Sequence, residues 1–590
     1  MNEQPLPHHD DKPNFLVILV DEERYPPVYE NAEIKEWRKQ NLIAHEFLKS
    51  NAMEFHRHYI GSAACCPSRA TLMTGQYPSL HGVSQTNGIA KETFDSDMFW
   101  LGRNTVPTVG NYFREAGYQT YYKGKWHISY EDIVVPGTHQ GVPSYHSMTG
   151  VPDKQREELY LHADHLDSFG FSSWIGPEPH GKNPRNSASS AAFGVSGRDV
   201  VYASEVVELI EALDCQKDID KNAKPWLVVA SFVNPHDIVL YGALTAHLPT
   251  FNFDVEPMPL VSPPPTLNEP LDTKPRCQAS YQHLYPRALQ PIINQSHYRK
   301  LYYQLQKNAD QQMHKVVEAL TRSSFYDNTI IIFTSDHGEL LGAHGDLHQK
   351  WYCAYEEMLH VPFLIHNPKR FPKPMHCNTL TSHVDLLPTM LGLANADISD
   401  IQCRLHTKFS EVHSFVGRDL SPFILEQNKS NPVEEPIYFM IDDDVTRGQH
   451  QINPLGIPYP SVIQPNHIET VVASIHRNNR KELWKYSRYF DNDQFWSQPG
   501  SKDITAQLVA GPNAGLQSTQ STHYVTSVKT EPVPEEYELY NLTADPLETC
   551  NLAHPAFASL QPKGMQEFMA ALLEQQRKHK RLVPSMLGTN

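Results

Sequence analysis

The stretch Cys65-Cys66-Pro67-Ser68-Arg69-Ala70-Thr71-Leu72-Met73-Thr74-Gly75 joins a nucleophilic residue type to the signals of a helix start. Pro67 suits the first helical position, where its missing N–H costs nothing, and Gly75 suits the stop. Cys65 and Cys66 then sit where unpaired backbone N–H groups and the positive end of the helix dipole collect. Such a setting lowers a thiol's pKa and receives an anion. Arg69, one turn in, adds a fixed charge whose planar donor fork matches a tetrahedral oxyanion. The same residues also fit a buried Cys pair capping a core helix, so the chemistry needs partners elsewhere in the chain.

Those partners lie at the ends of apolar runs. Phe15 to Val20 is continuous and rich in β-branched residues, which predicts a strand buried on both faces of a parallel sheet. It ends in Asp21-Glu22-Glu23-Arg24. Ligand sites in such sheets lie at the carboxyl ends of strands, so these acids are either solvated turn residues or metal ligands. Tyr118 to Tyr122, after a helix over Val109 to Ala116, leads into Lys123-Gly124-Lys125-Trp126-His127. Trp226 to Phe232 is another buried strand and ends in Asn234-Pro235-His236. Asn328 to Ser335 delivers Asp336-His337-Gly338. Taken singly, Lys125 and His127 read as an exposed basic turn, His236 as a structural histidine, and Asn87 as half of an Asn-Gly turn.

Together, these motifs resemble the type I sulfatases of the alkaline-phosphatase-like superfamily. Cys65-x-Pro67-Ser68-Arg69 with its Leu72-x-Thr74-Gly75 tail is similar to that family's signature, with Met73 where Leu is frequent. The resemblance implies that a separate maturation enzyme oxidises Cys65 to Cα-formylglycine, whose hydrate is the nucleophile. Gly124-Lys125-Trp126-His127, Asn234-Pro235-His236, Ser335-Asp336-His337-Gly338 and the segment around Lys350 match further motifs in the expected order. They imply a divalent ion, Ca²⁺ foremost with Mg²⁺ or Mn²⁺ as variants, held by Asp21, Glu22, Asp336, His337 and the modified Cys65. Glu22 departs from the usual Asp-Asp or Asp-Gln pair by one methylene. The resemblance also gives Arg69, Lys125 and Lys350 to the sulfate, His236 to protonation of the leaving oxygen, and His127 to breakdown of a covalent sulfoenzyme. Asn87 matches an oxyanion-contacting Asn of related phosphonate hydrolases. The implied activity is hydrolysis of a small-molecule sulfate monoester. A phosphonate monoester or phosphate diester hydrolase on the same scaffold is the alternative, and an inactive binding module a third reading.

The elements that must position these groups follow from length and pattern. The chain has 590 residues, 40% hydrophobic and 20% charged, ordinary values for a globular protein. A net charge of −17 argues against nucleic acid and acidic membranes as partners, but not against a small anion in a local basic pocket. No apolar run approaches a membrane span, no signal peptide is evident, and the eight Cys form no framework, which together fit a cytoplasmic protein. The expected fold is α/β, an alkaline-phosphatase-like three-layer sandwich with a large mixed central sheet. A smaller C-terminal α+β subdomain with a short antiparallel sheet completes it. The boundaries are a polar tail over 1–13, a catalytic domain over 14–428 and the subdomain over 429–590. Residues 130–198 and 248–291 read as loops that set specificity, and Asp442-Asp443-Asp444 as a solvated turn. Oligomeric state is not legible.

Overall fold

The structure is a computed structural model that describes residues 12–179, 183–219, 223–425, 434–495, 502–509, 521–528 and 531–580. Most of the polar N-terminal tail and the 426–433 stretch at the proposed boundary lie outside the described residues.

The strands of the large sheet are β1 (Asn14–Asp21), β2 (Ala52–Phe55), β4 (Gln119–Gly124), β5 (Trp226–Pro235), β6 (Thr329–Ser335), β7 (Phe363–His366) and β8 (Met375–Cys377), in chain order with a short β3 (His58–Tyr59) between β2 and β4. Their spatial order is β4-β5-β1-β6-β7-β2-β8. The first four run parallel, β7 is antiparallel to both neighbours, and β2 and β8 are parallel, so the sheet is mixed as expected. Strand β1 sits near the middle with both faces covered, which is why its sequence does not alternate in polarity. Phe15, Val17 and Leu19 join one apolar layer, and Leu16, Ile18 and Val20 the other. The first layer is closed by the helices Cys65–Thr74, Val109–Glu115 and Leu386–Leu393, and the second by Arg198–Ile219 and Gln295–Arg322. The result is the expected three-layer α/β/α sandwich.

A short β9 (Thr381–Ser382) pairs with β3, and beyond it lies a second sheet. Strands β10 (Ile437–Ile441), β11 (His467–Arg477), β12 (Arg480–Phe490) and β15 (Glu536–Asn541) form an antiparallel sheet, while β13 (Lys502–Val509) and β14 (Ser521–Val528) pair only with each other. One face of the four-stranded sheet packs on Met565, Met569 and Leu573 of the C-terminal helix Met565–Lys580. The other face, through Phe439, Ile441 and Ile468, shares an apolar cluster with Tyr59, Ala64 and Trp351 of the large domain. Among the described residues, no helix is long and apolar enough to cross a membrane.

Two regions differ from the sequence reading. Residues 130–198 contain the helix Lys154–Ala163, capped by the Asp153 carboxylate. The 248–291 stretch contains the helix Arg276–Ala288, which continues through Pro286 near its end. The Lys154–Ala163 helix carries no strong apolar stripe, so periodicity gave no signal there. In Arg276–Ala288 the stripe exists, with Cys277, Tyr281, Leu284, Tyr285 and Ala288 on one buried face, but the Pro-rich approach and Pro286 inside the helix obscured it.

The subdomain is also fastened by buried charge. Lys485 Nζ bonds Glu356 at 2.9 Å and Glu548 at 2.8 Å. Beside Glu548, within the large domain, His344 lies between Glu269 and Glu357 at 3.0 and 3.4 Å. Burial alone would lower the His344 pKa, but the Glu357 and Glu269 carboxylates outweigh it and lift the imidazole to about 9. A raised histidine pKa stabilises the fold fully below the unfolded value of about 6.5, and the gain is lost as pH rises through the folded value. The thermal stability of the wild type is therefore expected to fall between about pH 7 and 9. His344→Gln should be less stable at neutral pH and flatter over that interval; an unchanged slope would contradict the assignment.

Candidate active site

Four adjacent parallel strands release their chains at one edge of the sheet. Asp21 ends β1, Lys125 follows β4, His236 follows β5, and Asp336 and His337 follow β6. The N-terminus of the Cys65–Thr74 helix meets them there. That helix is buried at every position and ends at Gly75, whose φ of 65° closes it in the left-handed region. It begins at Cys65, so Pro67 stands at the third position rather than the first. Gly124, with φ of 94°, lets β4 pass so close to β5 that a Cβ would lie 1.9 Å from the Ser231 carbonyl. The Lys125 N–H bonds that same carbonyl at 3.1 Å, which fixes where the lysine emerges.

Ligand atoms of Asp21, Cys65, Asp336 and His337, all buried, lie within 4.8 Å of one another, and those of Asp21, Glu22 and His236 do likewise. The His337 Nδ1–H donates to the Gly338 carbonyl at 3.0 Å, which leaves Nε2 as an acceptor facing Cys65 Sγ at 3.1 Å. Burial, reinforced by Lys350, holds this imidazole neutral, the form that ligates a metal. Asp21 Oδ2 receives Lys125 Nζ at 2.8 Å and Arg69 Nη2 at 2.8 Å. Burial would raise its pKa, but Lys125, His236 and Arg69 carry it well below the ordinary range. Asp336, also in contact with Arg69, is pushed up to about 7 by burial and by the charge of Asp21.

Glu22 has a φ of 75°, an uncommon backbone state for a residue with a side chain. Its N–H donates to Asp336 Oδ1 and its carbonyl accepts from the Tyr302 hydroxyl, which together hold that state. Oε2 receives Lys350 Nζ at 2.6 Å, while Oε1 lies buried beside the Glu339 carboxyl with no hydrogen-bond partner among the described residues. Burial, with Glu339 and Asp21 adding, raises the Glu22 pKa well above normal despite Lys350. A cation satisfies such an oxygen. The closely set carboxylates, a neutral imidazole and an orphaned carboxylate oxygen fit a divalent ion with mainly oxygen donors.

Three expectations change in the structure. Burial, and next the charge of Asp21, push the Cys65 thiol up to about 12, overriding the helix terminus that was expected to lower it. Cys66 belongs to the apolar core. Arg69, expected on the sulfate, binds inward: Nε to Asp336 at 2.7 Å, Nη1 to the Lys125 carbonyl and Ser231 Oγ, and Nη2 to Asp21. Asn87, expected on the oxyanion, accepts from His127 Nε2 at 2.8 Å and donates to Thr93 Oγ1 at 3.0 Å. That bond leaves His127 Nδ1 as the basic nitrogen. His236, whose pKa burial and Lys125 hold low, has Nδ1 buried with Asp237 Oδ1 at 3.6 Å and no hydrogen-bond partner among the described residues.

Asp442, Asp443 and Asp444 are buried, which corrects the reading of a solvated turn. Their side chains point apart. Asp443 accepts from the Thr86 N–H at 3.1 Å and from Trp351 Nε1 at 3.0 Å. Asp444 accepts from the Tyr352 hydroxyl at 2.7 Å, and its carbonyl from Lys91 Nζ. The run thus braces the neighbours of both Asn87 and Lys350. Sequence reasoning missed this role because the partners lie over 80 residues away.

The arrangement is that of the alkaline-phosphatase-like α/β fold, with a cluster of potential metal-ligating side chains and a helix N-terminus at the carboxyl edge of its sheet. The chain belongs to the sulfatase family: the family model, Sulfatase, matches residues 13–396. It is thus a sulfuric ester hydrolase by family. "Uncharacterized sulfatase YidJ" of Escherichia coli (strain K12) is 27% identical, over 66% of this chain and 69% of its own. The choline-sulfatase of Rhizobium meliloti (strain 1021) is 26% identical over the same shares. A solved 2-O GAG sulfatase superposes with a TM-score of 0.55 at 19% identity, over 97% of this chain and 94% of its own, a likeness of fold.

Removing Arg69 would leave Asp21 and Asp336 as neighbouring buried carboxylates. Arg69→Met is expected to cost about 3–5 kcal/mol in chelator, with part of the loss recovered in Ca²⁺. A loss within about 1 kcal/mol, the range of an exposed pair, would contradict the clamp. Asp443→Asn should cost about 1–3 kcal/mol and slow turnover, read by denaturant unfolding and steady-state kinetics; unchanged kinetics would remove its bracing role.

Proposed function

We propose that the chain hydrolyses sulfate monoesters to an alcohol or phenol and inorganic sulfate, with Cys65 as the site of the nucleophile. The observation that carries this reading is the meeting of Cys65, Asp21, Asp336 and His337 within 4.8 Å at the strand edge, with Lys125 and Lys350 against the carboxylates. Conversion of Cys65 to formylglycine by a maturation enzyme would supply a hydrated aldehyde, whose one hydroxyl attacks sulfur and whose other allows sulfate to be expelled. Asp21, Glu22, Asp336 and His337 would hold the ion, a donor set suited to Ca²⁺ and compatible with Mg²⁺ or Mn²⁺. When bound, it supplies positive charge where the ester oxygens become negative. An unmodified thiol at this position is a soft ligand that burial keeps protonated.

Each remaining group has a task its geometry supports. Lys125 and Lys350 present fixed ammonium groups that bind the sulfate oxygens. Arg69 positions the two aspartates and does not contact the substrate. His236 donates a proton to the leaving oxygen; a bound sulfate beside it opposes the influence of burial and Lys125 and so favours the charged imidazole. His127, oriented by Asn87, takes a proton at Nδ1 when sulfate is released.

The general-acid role has a direct test. His236→Gln should lower kcat/KM about 10²–10⁴-fold for an alkyl sulfate, whose leaving oxygen needs the proton. For an aryl sulfate with an acidic phenol the loss should be far smaller. Equal losses on both esters would contradict the role. On the matured protein, a sulfate monoester should be turned over with higher kcat/KM than the matching phosphonate monoester. The reverse order would favour a phosphonate or phosphodiester hydrolase, and turnover of neither a binding module.

A further inference from the structure

A second constellation of metal-ligating side chains lies at the far edge of the sheet. Strands β2 and β8 run parallel there, and Glu54 stands directly opposite His376 in their register. His56 follows β2 immediately. We propose that Glu54, His56 and His376 form a metal site for a borderline divalent cation of the Zn²⁺ type, separate from the active site.

The geometry is that of a site already assembled. His56 Nε2 and His376 Nδ1 face each other at 2.9 Å, and the Glu54 carboxylate reaches within 3.8 Å of His376 Nδ1. One ligand atom from each of the three residues lies within 4.8 Å of the other two. Two nitrogens on one tetrahedral ion, each at 2.0–2.1 Å, stand about 3.3 Å apart, so the two rings need to part by only a few tenths of an ångström. The imidazole planes are 20° from parallel with centroids 5.0 Å apart, an open pair that an ion can enter from the side. His376 is 58% exposed at its side chain, which provides access for the ion and room for water as a fourth ligand.

The site also has outer support. Tyr25 Oη meets His56 Nδ1 at 2.8 Å. With Nδ1–H donating to that oxygen, the Nε2 lone pair points at His376, the arrangement that orients metal-bound histidines. Tyr25 is fixed in turn: its ring stacks on His360 at 4.1 Å and its N–H bonds the His360 carbonyl. Two nitrogens and one carboxylate select Zn²⁺ over Ca²⁺, the opposite preference to the oxygen-rich centre around Asp21. An ion here would cross-link the β2 and β8 edge. Through Tyr25, it would also tie that edge to the segment that begins at Asp21.

The test is calorimetric titration of Zn²⁺ into the full chain held in excess Ca²⁺. The wild type is expected to take up about one equivalent of Zn²⁺ that His376→Ala, altered at an exposed position, does not, and to melt at higher temperature with Zn²⁺ than without. Glu54→Gln should weaken that binding, and Tyr25→Phe should weaken it about tenfold, as loss of an orienting partner does. Sulfate ester hydrolysis by His376→Ala without Zn²⁺ should match the wild type. Identical isotherms for wild type and His376→Ala would overturn the proposal, as would a Zn²⁺ equivalent lost only on Cys65→Ala. Because this readout is binding rather than turnover, it stands or falls independently of the sulfatase reading.

Discussion

The site depends on one buried ion-pair arrangement, Arg69 held between Asp21 and Asp336. Both carboxylates and the guanidinium are fully excluded from solvent. Two buried like charges at that spacing repel strongly in a low-dielectric interior, and the fold would not bring β1 and β6 side by side with aspartates at both ends without a cation between them. Arg69 supplies it from a helix that packs across the sheet, so the Cys65–Thr74 helix cannot shift without breaking the pair. Cys65 is thereby set beside His337. The constraint runs both ways: the carboxylates orient the helix, and the helix holds the carboxylates together. A lysine would not replace this arginine, since three separate nitrogens make directed contacts.

Much of this was legible in the sequence because parallel strands leave a strong mark. Phe15 to Val20, Trp226 to Phe232 and Asn328 to Ser335 are apolar without alternation, and each hands a polar residue to the same edge. The polar residues at those strand ends could therefore be placed at one edge in advance, while the roles proposed for them rest on the resemblance. What the sequence did not reveal is direction. Arg69 has the fork of a sulfate binder, yet its donors face inward. The Cys65 helix terminus predicts a lowered thiol pKa, yet full burial and Asp21 reverse it. Both outcomes turn on partners distant in the chain, which local pattern does not contain.

The same limit explains the C-terminal third. Three consecutive aspartates outside a regular element look like a solvated turn, since successive side chains diverge. They do diverge here, but each direction ends at a buried donor: Thr86 and Trp351 for Asp443, Tyr352 for Asp444, and His467 with Asn492 for Asp442. The small antiparallel sheet is thus a wall of the catalytic domain more than an appendage. Its apolar inner face and its acidic run together hold the segments that carry Asn87 and Lys350. The helix Lys154–Ala163 escaped notice through the weakness of its apolar stripe, and Arg276–Ala288 because its stripe sits in a Pro-rich stretch with Pro286 inside it.

The central claim is that Cys65 is a precursor and not the nucleophile itself. Peptide mass spectrometry on the fragment containing Cys65, from protein matured in its own host, tests it most directly. The account predicts loss of one sulfur and two hydrogens with gain of one oxygen, localised to Cys65 and absent from Cys66. An intact thiol at Cys65 in protein that still cleaves sulfate esters would contradict it.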